Sequence, residues 1–230
     1  EEIIPKFNEL KLIAKRENLL QPQVIYGYYP CASEGNDLII YKPKDMEGEK
    51  LYGEWSTGLA KENYTEWQRF SFPRQQGKKN LCISDFYKPA SGEELDVIGM
   101  MIVTVGKIAT EYAQKLYNEN KYQDYLYFHG FSVETAEALA EYWHKAMRVE
   151  LGISGSDSAQ IKDLFHQGYQ GSRYSFGYPA CPNLEDNAVM FEILRPERIG
   201  IELTEEFQMV PEQTTNAIVV HHPEAKYFFL

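Results

Sequence analysis

Apolar and polar positions follow two different rhythms along this chain, and the changes of rhythm predict its elements. Residues 5–18 (PKFNELKLIAKREN) set Phe7, Leu10, Ile13 and Ala14 on one side of an amphipathic helix, with Pro5 near its start. Val24–Tyr29 and Leu38–Tyr41 read as strands of a hairpin around the turn-like Glu34-Gly-Asn-Asp37. Pro43–Lys50 is polar and predicts a loop, and residues 51–70 are ambiguous. Asn80–Ser84 reads as a short strand ending at Asp85, and Asp96–Val105 as a longer one rich in Val, Ile and Met. The centre is helical. Lys107–Tyr127 carries an apolar stripe, and Ser132 is expected to cap a second helix. In that helix Val133, Ala136, Ala140, Trp143 and Met147 recur at three- and four-residue steps. Asp157–Gln167 predicts a shorter helix, and Glu185–Leu194 another that Pro196 stops. Ile199–Leu203, Ala217–His221 and Lys226–Leu230 then read as strands. Strands, helices, then strands, without a βαβ rhythm, predict an α+β domain over 1–230. Strands from both chain ends should share a largely antiparallel, twisted sheet.

Ser172–Pro182 (SRYSFGYPACP) fits neither period and is expected to be ordered but irregular. Its prolines fix φ, and Gly177 permits a turn or a close backbone approach. Two readings are open from the residues. The loop is the wall of a cleft, with Arg173 offered to a carboxylate and Tyr174, Phe176 and Tyr178 to a ring or cation, or it is a packed surface loop with an ordinary arginine.

At 230 residues and 43% hydrophobic, the chain can build one sizeable core, burying roughly 70% of its unfolded surface. No apolar run reaches the ~20 residues of a membrane span, and no signal peptide is expected. Cys31, Cys82 and Cys181 lie far apart without CxxC spacing, which predicts free thiols and a reducing, cytoplasmic setting. A net charge of −11 disfavours nucleic acid and anionic membranes as partners. No G-x-G follows a strand, which argues against a Rossmann-type methyltransferase. Adjacent His221 and His222 on a strand should face opposite ways, so a shared metal with Cys181 is not expected. No nucleophile–base pattern is present, and no side chain is assigned a catalytic role. Asp85 is either a turn former or a hydrogen-bond acceptor for a ligand, and Glu137 either a solvated helix carboxylate or part of a site.

The run Tyr169-Gln-Gly-x-Arg173-x-x-x-Gly177-Tyr178-Pro-Ala-Cys-Pro resembles the S-adenosylmethionine-binding signature of the activation domain of cobalamin-dependent methionine synthase. Gly27-Tyr-Tyr-Pro-Cys-Ala, Asp37-Leu-Ile-Ile-Tyr41, Phe72-Pro-Arg-Gln-Gln76, Ser84-Asp85-Phe86 and His222-Pro-x-x-Lys-Tyr227 accompany it in order, so the resemblance covers nearly the whole chain. It implies a C-shaped α+β fold and a fragment of a larger protein. It implies that Asp85 contacts S-adenosylmethionine, that Arg173 holds its methionine carboxylate, and that Tyr178 lies near the transferable methyl. Lys226-Tyr227-Phe228 matches a Lys-Tyr-Tyr that lines the ligand site, with Phe228 lacking the hydroxyl. Gln167 stands where some members carry a site carboxylate, which Glu137 would then supply. The implied function is reactivation: an electron from flavodoxin or an equivalent reductase converts cob(II)alamin to cob(I)alamin, which takes the methyl of S-adenosylmethionine. Cobalamin itself would be held by a partner, the cobalamin-binding domain. Arg74, Lys78 and Lys79 form a compact basic cluster expected to steer docking. The rival readings are an independent small-molecule methyltransferase and a regulatory module that senses S-adenosylmethionine.

Overall fold

The computed structural model describes residues 3–44, 59–77 and 79–230. Helix α1 (Ile3–Arg16) is followed by strands β1 (Gln23–Glu34), β2 (Asp37–Pro43), β3 (Leu59–Ala60), β4 (Tyr64–Ser71) and β5 (Glu94–Thr104). Helices α2 (Lys107–Asn118), α3 (Tyr122–Glu150) and α4 (Ile161–Leu164) occupy the middle of the chain. Strand β6 (Ser172–Tyr174), helix α5 (Asp186–Leu194) and strands β7 (Glu202–Leu203), β8 (Met209–Val210) and β9 (Thr214–Val220) complete it. The main sheet is open, in the order β4-β2-β1-β5-β9-β6, with β3 added along β5. Its pairings are antiparallel, and it joins strands from both ends of the chain as the sequence predicts.

From Val97 to Thr104, every residue of β5 is buried, because both sheet faces are covered. Ile98, Met100 and Ile102 point with Ile218 and Val220 toward Met190 and Ile193 of α5. Met101 and Val103 point the other way, with Ala217 and Val219, onto Ala140 and Met147 of α3. Gly99 leaves room for that second contact. A Cβ there would sit 2.7 Å from Met147 Cε and 3.1 Å from Val219 Cβ, so a side chain at this position would push the end of Met147 aside.

Several elements differ from their sequence expectations, each for a local reason. The helix predicted over Lys107–Tyr127 is two helices, broken where Asn120 takes φ 60°. Ser132 caps nothing. It is buried inside α3 and its hydroxyl donates to His129 O at 2.8 Å, satisfying itself within the helix. Only Ile161–Leu164 of the helix predicted for Asp157–Gln167 forms. Asn80–Ser84 is no strand: Ile83–Phe86 is a 3₁₀ turn, capped by the Asp85 carboxylate accepting from Cys82 N at 3.1 Å. The Arg173 loop begins as a true edge strand, Ser172–Tyr174, and is irregular only afterwards. In place of Ile199–Leu203, residues 196–199 form a 3₁₀ turn and only Glu202–Leu203 is a strand, paired with β8. Lys226–Leu230 has no strand pairing. Side chains fix it instead, as the Tyr174 hydroxyl donates to Lys226 O at 2.8 Å. Of the predicted polar loop Pro43–Lys50, residues 45–50 lie outside the described residues. Cys31, Cys82 and Cys181 are buried free thiols. Among the described residues no helix is long and apolar enough to cross a membrane.

One core carboxylate sets a pH dependence. Burial pushes Asp186 up to about 6, against the opposing hydrogen bond from Asn183 Nδ2 at 3.1 Å. Its folded pKa lies above its ordinary value of 3.8. The folded state therefore binds the extra proton between those values, and this contribution to stability, complete below the lower one, is lost as pH rises through the higher. Asp186→Asn is expected to gain on the order of 1–3 kcal/mol at pH 7.5, shrinking toward zero below pH ~4. Urea denaturation at both pH values checks it; equal effects at the two would contradict it.

Candidate functional site

Strand alternation decides where Arg173 points. β6 pairs with β9 so that Arg173 lies opposite Val219, whose side chain faces α3. On α3, Glu137 and Glu141 stand one turn apart on the same side. Arg173 Nε donates to Glu141 Oε1 at 2.9 Å, and Nη2 donates to Glu137 Oε2 at 3.1 Å. Burial alone would disfavour the guanidinium charge, but Glu141 and Glu137 together hold its pKa above the ordinary arginine value.

This cluster lies in a groove of about 730 Å³. Tyr142, Phe165, Tyr169, Tyr178, Tyr227 and Phe229 give it aromatic walls, and Lys145, Arg148 and Gln167 join the charged cluster as polar lining. Gly177, at φ 88°, turns the chain, and Cys181 N closes the turn on Tyr178 O at 3.0 Å. The turn leaves Tyr178 half exposed over the groove. Gln167 clips the C-terminal tail in place: its amide donates to Ser172 Oγ at 2.9 Å, and its Oε1 accepts from Tyr227 N at 3.0 Å. The Lys226 ammonium adds bonds to the carbonyls of Gln167 and Tyr169 at 2.9 and 3.0 Å.

Behind the aromatic wall sits a buried polar unit. Arg148 donates to both Asp157 oxygens, at 3.3 and 3.0 Å, and to His144 Nδ1 at 3.0 Å. Its guanidinium carbon lies 4.0 Å from the Tyr169 ring centre, a cation–π contact. His144 is thus a neutral acceptor. Burial first, and then the Arg148 and Arg173 charges, push its pKa far down.

Arg173, Tyr178, Tyr227 and Glu137 come together in this groove; Asp85 and Phe228 do not line it. Asp85 accepts from Arg74 Nη1 and Nη2 at 2.7 and 2.8 Å, and this pair holds its carboxyl below the usual range. The Arg74 segment still reaches the tail, since Gln75 Nε2 donates to Phe229 O at 2.6 Å. Phe228 is buried against Tyr174, with ring centres 5.9 Å apart. Arg74 is thus largely committed within the expected basic cluster, and Lys78 lies outside the described residues. His221 pairs with Asp96 at 2.8 Å while His222 packs on Phe86, so the adjacent histidines serve separate neighbours. A larger groove of about 890 Å³ between α1 and α3 is lined by Phe7, Leu10, Tyr127 and Phe131, with lysines and Glu134. Among the described residues its lining has no arginine and no second carboxylate.

Residues 7–230 match the family described as vitamin B12 dependent methionine synthase, activation domain. The chain belongs to this family. It is 44% identical over 220 residues to the methionine synthase of Mycobacterium tuberculosis (strain ATCC 25618 / H37Rv), covering 91% of this chain and 17% of that protein. To the methionine synthase of Mycobacterium leprae (strain TN) it is 42% identical over 215 residues, covering 89% and 16%. The chain therefore spans about a sixth of the length of these curated relatives. A crystal structure of the MetH reactivation domain bound to AdoHcy matches with a TM-score of 0.84 at 26% identity, covering 99% of this chain and 66% of that one. The activation domain fold is thus the antiparallel α+β arrangement described above. Within it, reading residues along the chain missed Glu141, Lys145 and Arg148 as groove residues. Their signal is the three- and four-residue spacing from Glu137, which continues a single polar face of α3.

Proposed function

We propose that this activation domain binds S-adenosylmethionine in the Arg173 groove and presents its methyl group to cobalamin held by a partner domain of methionine synthase. Flavodoxin or an equivalent reductase would supply the electron that precedes methylation. The observation that carries this reading is the juxtaposition of Arg173, paired carboxylates and aromatic faces in one groove. Such a ligand combines an anionic carboxylate, cationic ammonium and sulfonium centres, and a flat base; each has a matching group here. The groove's 730 Å³ falls in the size range of small-molecule sites.

Arg173 takes the carboxylate, and Glu137 and Tyr178 face the cationic end. Tyr227 continues the aromatic wall, and Phe228 supports it from the core by packing alone. Asp85 does not line the groove, so in this reading it would meet the ligand only where the ligand extends beyond the groove, through lone pairs that Arg74 leaves open. The chain's work is to orient the methyl sulfonium and exclude water, and no side chain needs to act as acid or base. The cobalamin supplies the nucleophile from the partner domain.

Single-turnover methylation of a reduced cobalamin domain, with and without this chain, tests the reading. Methylation that depends on both the chain and S-adenosylmethionine is expected; transfer at the same rate without the chain would overturn it. Tyr178→Phe keeps the ring and removes one hydroxyl, so titration should show affinity changed by about 1.5 kcal/mol at most. A larger effect on the methylation rate at saturating ligand is expected if the hydroxyl orients the methyl group.

A further inference from the structure

In this structure Arg173 already holds two carboxylates, so a ligand carboxylate must take the place of at least one. Glu141 is the more exposed of the two, at 54% of its side chain against 35% for Glu137. Four residues on, Lys145 lines the same groove and has no hydrogen bond or ion pair among the described residues. A glutamate four residues before a lysine is the favourable order for an ion pair on a helix. Glu141 thus has two cations within reach, one engaged and one free.

We infer that Glu141 is an exchangeable latch: it closes on Arg173 when the groove is empty and passes to Lys145 when a ligand carboxylate takes Arg173. The inference rests on the S-adenosylmethionine reading of the groove and deepens it. Glu137, the less exposed partner, stays beside Arg173 and keeps a negative charge facing the ligand's cationic end. The exchange leaves no carboxylate stranded, because each one that leaves an ion pair enters another. It also keeps Arg173 oriented and charged before the ligand arrives, sparing the empty groove an unpaired half-buried guanidinium. Binding strength is then set by a residue that need not touch the ligand at all.

The test is titration of S-adenosylhomocysteine and S-adenosylmethionine into wild type, Glu141→Gln, Lys145→Gln and the double variant. Glu141→Gln removes the competitor and should tighten both ligands by a similar factor, about fivefold for a partly exposed pair. Lys145→Gln removes the receiving cation and should weaken both by about twofold. In the Glu141→Gln background the Lys145→Gln effect should vanish, since there is nothing left to receive. Persistence of that effect in the double variant would mean that Lys145 contacts the ligand directly, and would overturn the latch. Weakening of S-adenosylmethionine alone by Glu141→Gln would place Glu141 against the sulfonium and also overturn it. Wild-type binding with no change in Glu141→Gln would refute the latch while leaving the site reading intact. No binding in any of the four proteins would refute both.

Discussion

Arg173→Ala is expected to weaken S-adenosylmethionine binding by about 2–5 kcal/mol, the loss typical of removing one partner from a desolvated charge pair. That corresponds to roughly 30- to several-thousand-fold in dissociation constant. Two effects act in the same direction. The ligand carboxylate loses its charge-assisted donor, and Glu137 is left beside it without a countercharge. The fold should persist, because β6 pairs with β9 through backbone and keeps Tyr174 packed on the other face. Methylation at saturating ligand should therefore survive, since the lost contact is remote from the reacting bond. Calorimetric titration paired with single-turnover methylation checks both halves. Unchanged affinity would remove the carboxylate assignment.

Arg148→Met is expected to act on stability instead. Arg148 has 3% of its side chain exposed and its partner Asp157 12%, so removing the cation leaves an uncompensated buried carboxylate. Breaking a buried pair in this way costs about 3–5 kcal/mol. For a domain of this size each kcal/mol moves the melting temperature by about 2–4 °C, giving a fall of roughly 6–20 °C. Tyr169 also loses the guanidinium beneath its ring, and with it a fixed position in the groove wall. A fall under a few degrees in a thermal melt would mean that the Asp157 carboxylate finds water or another donor. Arg148→Met combined with Asp157→Asn should recover much of the loss, because no buried charge then remains.

How far the chain could be read from its sequence varied with how local each determinant was. β5 was legible because burial on both faces writes an unbroken apolar run, and the β1–β2 hairpin because Gly35 and Asn36 form its two-residue loop. Ser132 misled because a serine before an apolar stripe looks like a cap. Only the packed helix shows its hydroxyl bonded one turn back. The Lys226–Leu230 tail is apolar enough for a strand, yet its partners are Gln167, Tyr169 and Tyr174, whose proximity no local pattern reveals. At the site, Arg173 and Tyr178 were legible through an extended motif with few spacings to satisfy. Glu141, Lys145 and Arg148 were not singled out, and they gain their meaning only when edge strand β6 brings Arg173 against α3. Asp85 was legible as a carboxylate near a turn, but its bidentate partner Arg74 lies eleven positions back across an irregular segment.

The most direct measurement is a crystal structure of this chain with S-adenosylmethionine bound. The account predicts the ligand carboxylate on Arg173 in place of Glu141, and the methyl sulfonium beside Glu137 and Tyr178 with the methyl open to solvent. Ligand in the groove between α1 and α3, or ligand in the Arg173 groove with its carboxylate away from Arg173, would contradict it.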